Sequence, residues 1–279
     1  MSSSLLDQLK SSAAKIGSCD PLWLKSGQEP ELRAVEGGKE GPRIILLHGL
    51  LGALSNWNSV FPLMEAYSRP HALHFPILTA HRSEVKVKAL SILTELYIRQ
   101  NAFQPAVLCG NSLGGHVAMR LCLNSPELVD CLILSGASGL YEHSVDALPV
   151  RPNHKYIREN MARVFYNKSF ITDESVEEIY QAINKRLQVL NLIHAARSAK
   201  KDNLLNVLKE IKVPTLLLWG EDDLVTTMDV AKTFAKHIPN SKLVTVKNCG
   251  HAPMIEHPQW FSSEVEKFLK EHSRYYKKS

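Results

Sequence analysis

Several scarcities limit what this 279-residue chain can be. No apolar run approaches the ~18 residues that a membrane span needs, and the N-terminus lacks the charged-then-apolar order of a secretion signal. A cytoplasmic address is therefore expected. The five cysteines, Cys19, Cys109, Cys122, Cys131 and Cys249, are an odd number without metal-type spacing, which argues for reduced thiols and against a cysteine-held metal. Charge of one sign is also in short supply. The net charge is +5 and the basic residues are scattered apart from the tail Arg274 to Lys278, so no stripe for nucleic acid is present. Internal repeats and low-complexity segments are absent. Glycine, with 14 copies, is sparse enough that its clustering at Cys109-Gly110-Asn111-Ser112-Leu113-Gly114-Gly115 calls for a reason.

What is present is an ordinary globular composition, 44% apolar and 22% charged, long enough for one large domain with an insertion. Leu5 to Ile16 reads as an amphipathic helix, and LWLKS and ELRAV read as edge strands broken by Gly and Pro. From Arg43 onward strand-like and helix-like runs alternate. RIILLHG is followed by SNWNSVFPLMEAY, HALHFPI, VKVKALSILTELYIRQ, PAVLCGNS, GGHVAMRLCLNSPEL and DCLILSGA. The rhythm resumes with KVPTLLLWG, MDVAKTFAKHIP, SKLVTVKN and WFSSEVEKFLKEH. Such alternation predicts right-handed crossovers and an α/β fold, a mostly parallel, doubly wound sheet covered on both faces. The interruption carries helical periodicity and no convincing strand. It divides the chain into a core of residues 1–140 and 204–279 and a helical cap of residues 141–203, inserted before the last two core strands, over the edge where open α/β sheets bind ligands.

Ser112 lies where strand PAVLC meets helix GGHVAMRLC. A serine on such an elbow is held in a strained conformation with its hydroxyl exposed, and Gly110 and Gly114 leave room for close backbone approach. Chance alone would place Gly-x-Ser-x-Gly in about one such sequence in twenty, so position at the elbow matters more than the motif. A serine hydroxyl is a weak nucleophile and needs a base, which in turn needs an orienting acid. His251 follows the last strand, and Glu221, Asp222 and Asp223 follow the strand before it, so all reach one rim. His48-Gly49-Leu50-Leu51-Gly52 leaves strand RIILL at the same rim. The Leu50 amide, paired with that of Leu113 at a helix N-terminus, is expected to form an oxyanion hole. His48 is expected to hold its loop by hydrogen bonds, not to act as a second base.

Together HGLLG, GNSLGG, WGEDD and GHAPMIEHP resemble the α/β-hydrolase superfamily from about Arg43 to the C-terminal helix. The resemblance implies a Ser112, Asp223, His251 triad, its spacing favouring Asp223 over its two acidic neighbours. It also implies a cap between the sixth and seventh core strands. Supporting positions are His48, Gly49, Gly110, Asn111 and Gly114. The loop HFPILTAHRSE, residues 74–84, departs from the pattern common in relatives. Asn111-Ser112 and SFITDE resemble the carbon–carbon bond hydrolases of aromatic ring-cleavage products. Those relatives place an arginine soon after SFITDE, where Ile179 and Tyr180 stand here, and a tryptophan near the histidine, where Ala252 and Pro253 stand. The serine also disfavours dehalogenase and epoxide hydrolase chemistry, which uses an aspartate nucleophile.

The expected activity is hydrolysis of a small to medium carboxylic ester through an acyl-enzyme, with no metal or organic cofactor, by a monomer or homodimer. A carbon–carbon hydrolase, an acyltransferase and a ligand-binding protein that retains the triad are the rivals. Cys109 and Cys249 are expected to be buried filler. Trp57, Trp219, Tyr156, Phe165 and Tyr166 are candidates for a pocket wall or for core packing.

Overall fold

Short-range sequence sets the strands, and their pairing sets everything else. The computed structural model describes residues 1–17, 21–51, 54–140 and 152–277, so Cys19, Gly52 and the opening of the expected cap lie outside the described residues. Strands β1 (Arg33–Glu36), β2 (Arg43–Leu47), β3 (Arg69–His74), β4 (Ala106–Asn111), β5 (Val129–Ser135), β6 (Thr215–Gly220) and β7 (Ser241–Val246) form one sheet in the order β1-β3-β2-β4-β5-β6-β7. β1 pairs with β3 antiparallel, and every other pairing is parallel. The doubly wound α/β sheet expected from the alternation is what forms.

Strand period explains the two-sided core. Ile45 and Leu47, Leu132 and Leu134, and Leu217 and Trp219 face one side, while Ile44 and Leu46, Cys131 and Ile133, and Leu216 and Leu218 face the other. On the first side pack α4 (Val87–Gln100), α5 (Leu113–Asn124) and α9 (Met228–His237); on the second pack α3 (Phe61–Met64) and α11 (Pro258–His272). The N-terminal helix α1 (Ser3–Ile16) lies on α4, where the Ser12 hydroxyl donates to the buried Glu95 carboxylate at 2.8 Å.

Two local expectations are corrected. LWLKS is not a strand but a short helix, α2 (Leu22–Ser26). Pro21 supplies its N-cap and Gly27, at φ 70°, its left-handed end, so the breakers that suggested strand ends are helix caps. The adjacent pair Trp23 and Leu24 is buried together, which a strand's alternation does not allow. SNWNSVFPLMEAY, expected as one helix, breaks into a 3-10 turn at Leu54–Trp57 and the single turn of α3, with Pro62 in that turn. The interruption precedes the last two strands, β6 and β7, as expected; with LWLKS helical the strand count is one lower, so it falls between the fifth and sixth strands and not between the sixth and seventh.

That interruption contains α6 (His154–Val164), α7 (Asp173–Ile183) and α8 (Arg186–Lys201). SFITDE runs from a 3-10 turn (Lys168–Phe170) into the N-cap and first two residues of α7: the Thr172 hydroxyl accepts from the Ser175 amide at 3.1 Å and the Ser175 hydroxyl from the Thr172 amide at 3.0 Å. Ile157, Met161, Ile183, Leu192 and Ala195 join the first core cluster. Loop 74–84 is pinned from two sides. The Phe75 amide donates to His48 Nε2 at 2.9 Å, and the Asn191 side chain of α8 donates to the Ala80 carbonyl at 2.8 Å. Among the described residues no helix is long and apolar enough to cross a membrane.

Candidate active site

The glycines around Ser112 are there for space. A Cβ on Gly110 would lie 2.4 Å from the Gly114 carbonyl group, one on Gly114 would lie 2.0 Å from the Leu47 carbonyl oxygen, and one on Gly115 would lie 2.6 Å from Ala137 Cβ. Strand β4 can therefore turn directly into α5 against the end of β2. Ser112 sits at that turn with φ 53° and ψ −119°, a left-handed conformation that costs a non-glycine residue about 1–3 kcal/mol. The Ser112 amide donates to the Ser135 carbonyl, and the Ser112 carbonyl accepts from the amides of His116 and Ser138. Gly49 brings the loop after β2 beside this turn, because a Cβ there would stand 3.2 Å from Ser112 Cβ. Leu50, Leu113, Ser112 and His251 all line one cavity of about 300 Å³.

His251 is held through its backbone as well as its ring. Its amide donates to the Val164 carbonyl at the end of α6 at 2.7 Å, and its carbonyl accepts from the Asn111 side chain at 3.1 Å. Asn111 also donates to the Ser135 carbonyl, so its amide group joins the ends of β4 and β5 to the histidine loop. Gly250 and Gly220 are packed backbone to backbone: a Cβ on Gly250 would lie 2.2 Å from the Val164 oxygen, and one on Gly220 2.1 Å from the Gly250 oxygen.

Of the three acids after β6, only Asp223 reaches the ring. His251 Nδ1 lies 2.9 Å from Asp223 Oδ2, and both side chains are buried. Glu221 is exposed and accepts from the Thr245 hydroxyl. Burial raises the Asp223 carboxyl, but the charge and hydrogen bond of His251 and the amides of Thr226 and Val225 outweigh it, leaving the group below its ordinary value. An ionised carboxylate only accepts, so Nδ1 carries a proton toward it, and in the neutral ring the lone pair lies on Nε2. Among the described residues the ring's hydrogen bonds all run through Nδ1, and none joins it to the Ser112 hydroxyl.

His48 behaves differently. Its Nε2 accepts from the Phe75 amide, so Nδ1 bears the proton that goes to the Gly49 carbonyl at 2.8 Å. Complete burial holds this imidazole neutral, pulling its pKa down to about 4. The ring ties the loop after β2 to the loop after β3. Cys109 and Cys249 are fully buried, and desolvation pushes both thiols up.

Three participants escaped the sequence reading. Thr226 donates its hydroxyl to Asp223 Oδ2 and its amide to Oδ1, both at 2.9 Å. Glu256, in the one-turn helix α10 (Pro253–Glu256), accepts from the Gly250 amide and from the Asn167 amide, bridging the histidine loop to the interrupting helices. Gly136, at φ 49°, leaves room for the ring, since a Cβ there would lie 2.8 Å from His251 Nδ1. The Asp-Asp-Leu-Val-Thr-Thr spacing was the available signal for Thr226; for Glu256 and Gly136 no local pattern exists. The rest of the cavity wall is mostly apolar. Tyr156, Ile157, Met161 and Phe165 come from α6 and its end, Ile179 and Ile183 from α7, and Ala196 and Ala199 from α8. Trp57 and Trp219 are core residues, and Tyr166 points elsewhere. None of residues 74–84 lines the cavity. Among the described residues no group of three His, Cys, Asp or Glu side chains could hold a metal ion.

Residues 44–264 match the alpha/beta hydrolase family, and the chain belongs to it. It is 27% identical over 261 residues to the 2-hydroxy-6-oxo-6-(2'-aminophenyl)hexa-2,4-dienoic acid hydrolase of Metapseudomonas resinovorans, covering 86% of this chain and 87% of that one. It is 26% identical over 245 residues to the pimeloyl-[acyl-carrier protein] methyl ester esterase of Nitrosomonas europaea, covering 82% and 96%. Among solved structures, an alpha/beta hydrolase from the metagenome of lagoon sediments of Mar Chica, Morocco, superposes with a TM-score of 0.71 at 28% identity, over 88% of this chain and 97% of that one.

Proposed function

We propose that the chain is a serine hydrolase that cleaves a small to medium carboxylic ester through an acyl-enzyme on Ser112. The observation that carries this reading is the buried Asp223–His251 pair at 2.9 Å, whose ring shares one cavity with a serine held at a strained elbow. In this reading substrate entry closes the hydrogen bond from Ser112 Oγ to His251 Nε2, a contact that commonly forms only in the loaded site. Nε2 takes the hydroxyl proton as Oγ attacks the ester carbonyl, and the imidazolium is steadied by Asp223. The amides of Leu50 and Leu113 receive the developing oxyanion, and removing one such donor costs on the order of 3 kcal/mol of transition-state stabilisation. His251 then returns the proton to the departing alcohol, and water repeats the attack on the acyl group. The helices α6 to α8 act as a cap that supplies the apolar wall for the acyl chain.

A fluorophosphonate probe, which phosphonylates activated serines, is expected to label the wild-type chain and not Ser112→Ala, with turnover of p-nitrophenyl esters lost in parallel. Failure of the wild-type chain to react overturns the reading. A second reading, carbon–carbon bond hydrolysis on the same triad, draws on the dienoic acid hydrolase among the relatives. Turnover of a ring-cleavage dienoate at a higher kcat/KM than of simple esters would favour it.

A further inference from the structure

We propose that Thr226 is a positioning residue that locks the Asp223 carboxylate in the one rotation that aims Oδ2 at His251, a role that rests on the triad reading above. A carboxylate turns easily about its terminal bond, because that torsion is broad and roughly two-fold. Here Oδ1 is taken by two backbone amides, Val225 at 2.8 Å and Thr226 at 2.9 Å. Oδ2 faces the ring with one further donor, the Thr226 hydroxyl, at 2.9 Å. Thr226 thus supplies two of the four hydrogen bonds that the carboxylate accepts, one on each oxygen.

The hydroxyl has a single proton, and that proton goes to the carboxylate. Its oxygen also stands 3.2 Å from His251 Nδ1, and toward the ring it can only accept. Both neighbours of Nδ1 are then acceptors, which keeps a proton on that nitrogen and, in the neutral ring, fixes the tautomer whose lone pair is on Nε2. Thr226 is itself fixed in place. The indole of the fully buried Trp219, in the last part of β6, donates to the Thr226 carbonyl at 2.7 Å. The chain of contacts runs from a core tryptophan through Thr226 to the acid and then to the base, with each link on a buried group. The hydroxyl satisfies no group other than the acid and the base, so packing alone gives no reason for it.

The test compares Thr226→Val, which keeps the shape and removes the hydroxyl, with Thr226→Ser, which keeps the hydroxyl. Each is measured by thermal melting, by the rate of fluorophosphonate labelling and by steady-state hydrolysis of p-nitrophenyl acetate. The expected result is a kcat and labelling rate roughly tenfold lower in Thr226→Val, KM within about twofold, and recovery to within about threefold of wild type in Thr226→Ser. If the valine variant fails to fold, Thr226→Ala gives the same comparison without a branched apolar group against the ring. A reactive wild-type chain whose Thr226→Val or Thr226→Ala kcat stays within about twofold overturns this role alone, as does a serine variant no faster than the valine one. A wild-type chain inert to both probes overturns the triad reading and this role with it.

Discussion

At Gly114 the constraint is a single oxygen atom. A methyl group there would stand 2.0 Å from the Leu47 carbonyl oxygen and 2.5 Å from its carbon, both backbone atoms of a central strand that cannot swing aside as a side chain would. Gly114→Ala is therefore expected to lose about 3 kcal/mol of stability, read from the urea midpoint, and to slow labelling at Ser112 because the elbow must move off β2. The cluster around Ser112 announced itself in the sequence through glycine spacing. Which acid serves His251 did not. Glu221, Asp222 and Asp223 are adjacent in the chain, and only the turn after β6 buries the third and exposes the first two. Thr226 was hidden for the same reason, since its partners lie three and twenty-five residues away and meet only across two loops.

At the level of elements, the helices between β5 and β6 are fastened to the core at their exit. Arg120 of α5 grips Asp202, just beyond α8, with two bonds of 3.0 and 2.7 Å, and the buried His116 ring approaches the same carboxylate at 3.3 Å. Asp202 is pushed up by burial and pulled further down by His116 and Arg120, which keeps it ionised. Next to it the Leu204 amide donates to the Gly139 carbonyl and the Asn203 side chain to that of Leu140. Arg120→Met strands a largely buried carboxylate and is expected to cost about 3 kcal/mol in the urea midpoint. Adding Asp202→Asn to it is expected to cost less than the sum of the two single changes, the sign of direct coupling. Long periodic elements such as α4 and β4 were legible from their patterns. The five residues of α2 were not, because so short an apolar run cannot be assigned to a period of 2 or of 3.6, and only the caps and the paired burial of Trp23 and Leu24 decide.

For the molecule as a whole, acid is the condition that matters most. His48, His71 and His74 are all held below the ordinary histidine value, chiefly by desolvation, so the unfolded chain binds protons more readily than the folded one as pH falls below about 6.5. Stability is then highest above that pH and declines toward the folded-state value, about 4 for His48. His48 alone accounts for about 3 kcal/mol of that decline. Asp223, held below its own ordinary value, adds to the loss at lower pH still, when its carboxylate is finally protonated. Unfolding free energies from urea titrations at pH 7 and pH 4.5 are expected to differ by about 2 kcal/mol or more, and His48→Gln to show a flatter dependence despite a lower stability at pH 7. A flat wild-type profile would mean that the buried imidazole is not neutral.

Read along one dimension, the chain specified its strands, its longer helices, their alternation and the placing of Ser112, His251 and an acid at strand ends. These follow from side-chain periodicity and from glycines that mark close backbone approach, both of which are local. Folding decided which acid meets the ring, that Thr226 and Glu256 brace the two loops, and that α6, α7 and α8 close an apolar cavity over Ser112. Those contacts join residues far apart in the chain, and their hydrogen bonds exist only once the parallel sheet has brought the carboxyl ends of its strands to one edge.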